Sequence, residues 1–238
     1  MRGIAPHRLA FPVLAAALLA AGVLLFPSPS AGQQTVALSG SGGGATLTIT
    51  GDDAAEKLTL SRAGDNLVVK GFFKAPTPAR CTLVDQKTIH CPFSEFGSIL
   101  LSMGGASDGV VVAETMPVPL RADLGDGADK FTGSEESDTC IGGPGNDGCT
   151  TAGGNDTCFG GPGGDHCLLG GGNDVCRGNA DTDQCLGGAG NDLLDGGAAH
   201  DGLIGGPGRD RCDPRPGNDT VKTCEVLLAR AQALRAVR

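Results

Sequence analysis

Aspartate recurs every nine residues without a miss from Asp129 to Asp219, at positions 129, 138, 147, 156, 165, 174, 183, 192, 201, 210 and 219. Two residues after each comes an apolar or sulfur side chain: Phe131, Cys140, Cys149, Cys158, Cys167, Cys176, Cys185, Leu194, Leu203, Cys212 and Val221. Glycines crowd the positions in front, as in Gly142-Gly143-Pro144-Gly145-Asn146-Asp147 and Gly205-Gly206-Pro207-Gly208-Arg209-Asp210. Glycine accepts a left-handed backbone at no steric cost, so such a turn can curl with its carbonyls aimed at one spot. A carboxylate then joins those carbonyls. Calcium is a hard cation that takes about six to eight oxygen ligands of these two kinds.

The elements that must position this chemistry follow from the period. Beyond each aspartate only three residues remain, enough for a short strand with one inward side chain. No repeat of this size buries its apolar residue alone, so the repeats must stack as a solenoid. A glycine-rich disordered linker would not keep aspartates and apolar residues in strict phase. The pattern G-G-x-G-x-D-x-U-x resembles the calcium-binding repeats of the repeats-in-toxin (RTX) family. That resemblance implies an all-β fold, a right-handed parallel β-roll in which two repeats make one coil. Repeats eighteen residues apart then share an edge, and calcium sits between stacked turns. The implied metal-binding residues are Asp129, Asp147, Asp156, Asp165, Asp174, Asp183, Asp192, Asp201, Asp210 and Asp219. With them go Gly143, Gly145, Gly161, Gly163, Gly170, Gly172, Gly188, Gly190, Gly206 and Gly208.

Departures from the pattern rank the turns. The fourth turn position is glycine except at Glu136, Asp181 and Ala199, where a side chain must take up a left-handed conformation or deform the turn. The uninterrupted edge Asp156, Asp174, Asp192, Asp210 is expected to bind best. On the other edge Asp129, Asp147 and Asp165 are expected to bind, with Asp183 and Asp201 interrupting. The turn 133–138, which has the least glycine of the loops near the start, is expected to contribute little.

Ten cysteines accompany the ladder. An even number, without close C-x-x-C pairs, favours disulfides over zinc. Facing sheets usually lie about 10 Å apart and stacked strands about 4.8 Å, so a disulfide is expected between residues i and i+18 rather than across the roll, unless the roll is unusually thin. Three cysteines per sheet cannot all pair in this way, which leaves Cys140, Cys149, Cys158, Cys167, Cys176 and Cys185 unassigned. Cys81 with Cys91 and Cys212 with Cys224 are the expected remaining bonds.

Residues 1–32 combine Arg2 and Arg8, an apolar stretch over 9–26 and a small-residue exit, the pattern of a cleaved signal peptide. Its removal leaves 16 basic against 27 acidic residues, a net charge of −11. With no basic patch, no Trp and no Tyr, nucleic acid is excluded as a partner. Residues 33–122 read as an irregular β segment covering the first coil, with strand-like runs at 45–50, 57–60, 67–70, 82–84, 99–101 and 110–113. Two stretches there, 51–58 and 104–110, look like decayed repeats, but Asp108 and Asp129 are 21 residues apart, out of phase. The roll is placed at 123–224. Residues 225–238 are good helix formers and are read as a capping helix over the open end.

Neither a G-x-S-x-G elbow nor an H-E-x-x-H pair is present. His90 near Ser94, Ser98 and Asp85 reads as a hairpin residue. The expectation is therefore an extracellular, calcium-binding β-roll without catalysis and without a membrane span after signal removal. Cell-wall or matrix components are its candidate partners. The alternative is an accessory or remnant module of a secreted RTX-type hydrolase or adhesin.

Overall fold

Two sheets run the length of the molecule and share one narrow interior. The computed structural model describes residues 34–40, 42–73, 77–112 and 116–226. From residue 109 onward the chain alternates between the sheets at each repeat. One side carries the parallel strands Leu120–Asp123, Thr139–Ile141, Thr157–Pro162, Val175–Ala180, Leu193–Gly197, Arg211–Asp213 and Glu225–Val226. The other carries Gly109–Val112, Lys130–Thr132, Gly148–Thr150, His166–Leu168, Gln184–Leu186, Gly202–Ile204 and Thr220–Lys222. Seven strands on each side make a parallel β-solenoid of about seven coils.

Register along each sheet is set by the inward residue. Cys140 stacks on Cys158 and Cys158 on Cys176 on one side; Phe131, Cys149, Cys167 and Cys185 stack on the other. With period-2 alternation, a slip by one residue would turn each of these outward. All are buried, as are Leu194, Leu203 and Cys212.

The expected vertical pairing of these cysteines is corrected by the structure. Disulfides join Cys140 to Cys149, Cys158 to Cys167 and Cys176 to Cys185, each across the interior. The Cα atoms they join lie 6.5, 6.5 and 6.0 Å apart. The roll is much thinner than an ordinary pair of facing sheets at about 10 Å, because a single small side chain from each strand fills the space between them. Every cysteine thereby finds a partner, and three rungs stack along the core. Cys81–Cys91 and Cys212–Cys224 are also bonded.

The segment before the repeats is continuous with both sheets rather than a separate cover. Thr46–Thr50 and Ser98–Ser102 extend one sheet in parallel, and Thr35–Ser39 closes it antiparallel. On the other side Lys57–Ala63 pairs in parallel with Gly109–Val112. An antiparallel group of Asn66–Lys70, Thr88–Pro92 and Thr82–Asp85 then ends that sheet. His90 lies in this hairpin, which Cys81–Cys91 fastens. Here the core is built of Leu47, Ile49, Leu58, Leu60, Phe96, Ile99, Leu101 and Met103, much bulkier than the cysteine core of the roll.

A capping helix over 225–238 is not supported. Glu225–Val226 forms a strand in register with Arg211 and Cys212, because the Cys212–Cys224 bond delivers the chain to that edge and the Glu225 amide donates to the Asp210 carbonyl. Residues 227–238 and the signal segment 1–32 lie outside the described residues. No helix among the described residues is long and apolar enough to cross a membrane.

Non-reducing peptide mapping should recover the three crossed pairs. Replacing both Cys158 and Cys167 by Ala should lower stability by about 2–4 kcal/mol, the usual cost of losing a native disulfide in a small domain. Recovery of Cys140 linked to Cys158 would contradict the thin roll.

Candidate metal centre

The nine-residue aspartates are drawn into two columns, one along each edge of the roll. In each column the backbone amide of one aspartate donates to Oδ1 of the aspartate one coil further on. The first runs Asp129 to Asp147 at 2.9 Å, Asp147 to Asp165 at 2.8 Å, Asp165 to Asp183 at 2.8 Å, Asp183 to Asp201 at 3.0 Å and Asp201 to Asp219 at 3.0 Å. The second runs Asp138 to Asp156 at 2.7 Å, Asp156 to Asp174 at 2.8 Å, Asp174 to Asp192 at 2.9 Å and Asp192 to Asp210 at 3.0 Å. Each carboxylate is thus fixed by one oxygen. The other, Oδ2, is buried and without a hydrogen-bond partner in Asp129, Asp147, Asp156, Asp165, Asp174, Asp183, Asp192, Asp201, Asp210 and Asp219. Native proteins leave few buried polar atoms unpartnered, so a row of them marks a place for something else.

The glycines are required by this arrangement. All ten of the sequence-predicted ones have positive φ, from 93° at Gly170 to 151° at Gly208. A Cβ added at Gly143 would run into the carbonyl oxygen of Gly125 in the coil below, and one at Gly145 into that of Gly127. The same holds for Gly188 over Gly170 and Gly190 over Gly172. Carbonyl oxygens therefore stack beside the carboxylates along each edge. A donor set of carboxylate and carbonyl oxygen, without nitrogen or sulfur, fits a hard divalent cation.

Other residues carry parts of the site that the sequence reading did not assign. The first glycine of a repeat faces the carboxylate itself: a Cβ at Gly142, Gly160, Gly178, Gly187, Gly196 or Gly205 would overlap Oδ2 of the aspartate five residues on. The fifth turn position forms an outer ladder, in which Asn155 accepts from the Asn173 amide and Asn173 from the Asn191 amide. Asp138 stands in its column with Leu120 donating to its Oδ1, but its Oδ2 is already occupied by the Ser134 amide and hydroxyl. That occupation sets this turn apart from the others in its column.

The expected break at Asp183 and Asp201 has no counterpart in the carboxylate column, which passes through both in unchanged register. Asp181 and Ala199 keep the turn shape by taking left-handed φ of 70° and 92°. What these turns carry instead is backbone strain of order 1–3 kcal/mol per residue.

Burial raises the proton affinity of the column carboxylates from Asp129 to Asp201. Desolvation lifts Asp147, Asp156, Asp165 and Asp174 to about 6 and Asp183 to about 7, with amide donation opposing and neighbouring carboxylates adding. A raised folded-state value means that stability of the metal-free chain is greatest below the unfolded value near 4. It is lost as pH rises through about 6–7.

Fold and site together define the class: a parallel β-solenoid with oxygen-lined turns suited to calcium. The profile of the RTX calcium-binding nonapeptide repeat matches the chain in four copies, over residues 122–149, 150–185, 177–212 and 186–221. Residues 122–221 are accordingly RTX calcium-binding nonapeptide repeats. No curated protein and no solved structure matches the chain.

Two outcomes test the site. In chelator, the melting midpoint should rise as pH is lowered from 8 to 5, and in saturating calcium it should fall over the same range; a flat chelated profile would contradict the buried charge. Gly187→Ala should weaken calcium binding at least tenfold by displacing Asp192 Oδ2, whereas Gly202→Ala, in a strand with room for a methyl group, should leave the affinity unchanged.

Proposed function

We propose that this protein is an exported calcium-binding β-roll whose fold is completed by the metal and which performs no catalysis. The observation that carries the reading is the row of buried, unpartnered Oδ2 atoms standing in register between stacked carbonyls. Asp129, Asp147, Asp156, Asp165, Asp174, Asp183, Asp192, Asp201, Asp210 and Asp219 supply the carboxylate ligands in this reading, and the turn glycines supply carbonyls. Bound calcium cancels the repulsion along each column and gives the orphaned oxygens a partner.

Disulfides at all ten cysteines fit the oxidising exterior. Calcium is abundant there and scarce in cytosol, so the roll is built to be completed after export. The sequence carries neither a G-x-S-x-G elbow nor an H-E-x-x-H pair, which supports a role without catalysis. We therefore assign the protein to the extracellular space as a structural or surface module, with cell-wall or matrix components as the class of partner.

The test is a calcium titration of the disulfide-intact mature chain, followed by circular dichroism and melting. Free calcium at a thousand times a site's dissociation constant stabilises by about 4 kcal/mol for that site, so the melting midpoint should climb steeply with calcium. Identical spectra and midpoints in chelator and calcium would overturn the reading.

A further inference from the structure

The ladder does not stop where the nonapeptide repeats stop. Residues 103–111 and 51–59 fall onto the repeat position by position. Met103-Gly104-Gly105-Ala106-Ser107-Asp108-Gly109-Val110-Val111 keeps the aspartate and the inward residue, and Gly51-Asp52-Asp53-Ala54-Ala55-Glu56-Lys57-Leu58-Thr59 has glutamate in the aspartate's place. Strand pairing puts both in the stack, with Leu58 against Val110 and Val110 against Phe131. The hydrogen-bond link is the one seen in the repeats. The Glu56 amide donates to Asp108 Oδ1 at 2.8 Å, and the Asp108 amide to Asp129 Oδ1 at 2.6 Å.

The remaining oxygens are placed as they are in the roll. Glu56 and Asp108 are only 3% and 4% exposed. Glu56 Oε1 accepts from the Asp52 amide at 2.9 Å, while Glu56 Oε2 and Asp108 Oδ2 are buried without a partner. A Cβ at Gly51 would overlap Glu56 Oε2, as the first glycine of a repeat faces its aspartate. The carbonyl of Asp52 lies against Gly104, that of Gly104 against Gly125 and that of Ala106 against Gly127. Ala106 takes φ of 65°, keeping the left-handed turn without glycine. No donor within the protein reaches these atoms, and the turns bring carbonyl oxygens beside them: a Cβ at Gly51 would meet both Glu56 Oε2 and the Met103 carbonyl oxygen. Nor does a basic side chain neutralise them: the ion pairs among the described residues are Arg80–Glu95 and Arg215–Asp195.

We propose that Glu56 and Asp108 are calcium ligands, forming two cation positions beyond the repeats, one between turns 51–56 and 103–108 and one between 103–108 and 124–129. This rests on the reading of the roll as calcium-binding and extends it into a segment that the repeat profile leaves unmatched. Its consequence is physical coupling. Calcium in these positions fastens the bulky N-terminal core to the cysteine-filled roll, so the two halves respond to the ion together.

The test counts calcium bound per chain by equilibrium dialysis on the disulfide-intact mature protein. Its variants are Glu56→Gln with Asp108→Asn, and Asp174→Asn as a reference inside the repeats. The double variant should bind about two fewer ions than the parent, since each position loses a carboxylate ligand. Its melting midpoint should fall in calcium but not in chelator, where two buried charges have been removed. An unchanged count and midpoint in the double variant, with Asp174→Asn reduced, would overturn this inference and leave the calcium reading of the roll standing. A parent that binds no calcium would overturn both. Should the double variant fail to fold, Glu56→Gln alone, in the outermost turn, should lose about one ion, and full retention there overturns the proposal.

Discussion

Everything in this molecule hangs on a single recurring contact: a backbone amide held by one oxygen of the aspartate a coil away. That bond fixes the carboxylate against the turn and leaves its second oxygen buried without a partner beside the first glycine of the repeat. Because the link repeats every eighteen residues, it also sets the register in which glycine carbonyls stack. A metal-binding edge and a folded edge are then the same object. Without cations the contact concentrates negative charge in a buried row, whose members are only 1–4% exposed from Asp108 to Asp210. The fold brings together groups that repel, a conflict that a divalent cation of the right hardness would resolve.

Two other devices hold the chain while that conflict is resolved. Across the roll, three disulfide rungs replace the large apolar side chains that a three-residue strand cannot interdigitate. Cross-links restrain the unfolded chain as well as the folded one, which suits a core too thin to offset chain entropy by burial. At the N-terminal end the balance is different. Leu47, Ile49, Leu58, Leu60, Ile99 and Leu101 form an ordinary hydrophobic core, closed by antiparallel strands that leave no bare parallel edge. The solenoid grows from this base, and at its far end Cys212–Cys224 ties Glu225–Val226 onto the last coil.

Much of this was legible in the sequence, since side-chain chemistry at a fixed period is what a sequence displays directly. The aspartate columns, the inward cysteines and the left-handed glycines all follow from counting by nine. Other features depend on quantities that counting does not contain. Cysteine pairing turned on the width of the roll, and ordinary sheet spacing pointed to the wrong partners. Asp108 was out of phase because three residues are added before Asp129, a separation of 21 in place of 18. Glu56 was hidden further by the hairpin excursion that separates it from Asp108 by 52 residues. Insertions at a loop leave the stack untouched while destroying the period. The helical propensity of the tail was likewise a local signal, overruled at residues 225–226 by a neighbouring disulfide and an open strand edge.

The central claim is that the buried second oxygens left without a partner along the two columns are there to hold calcium. Diffraction from crystals of the refolded chain grown in calcium, with anomalous signal recorded for the cation, tests it most directly. The account predicts cations in rows along both edges, each with aspartate Oδ2 among its ligands at about 2.3–2.6 Å. Rows of water in those positions, or carboxylates turned away from the gaps between coils, would contradict it.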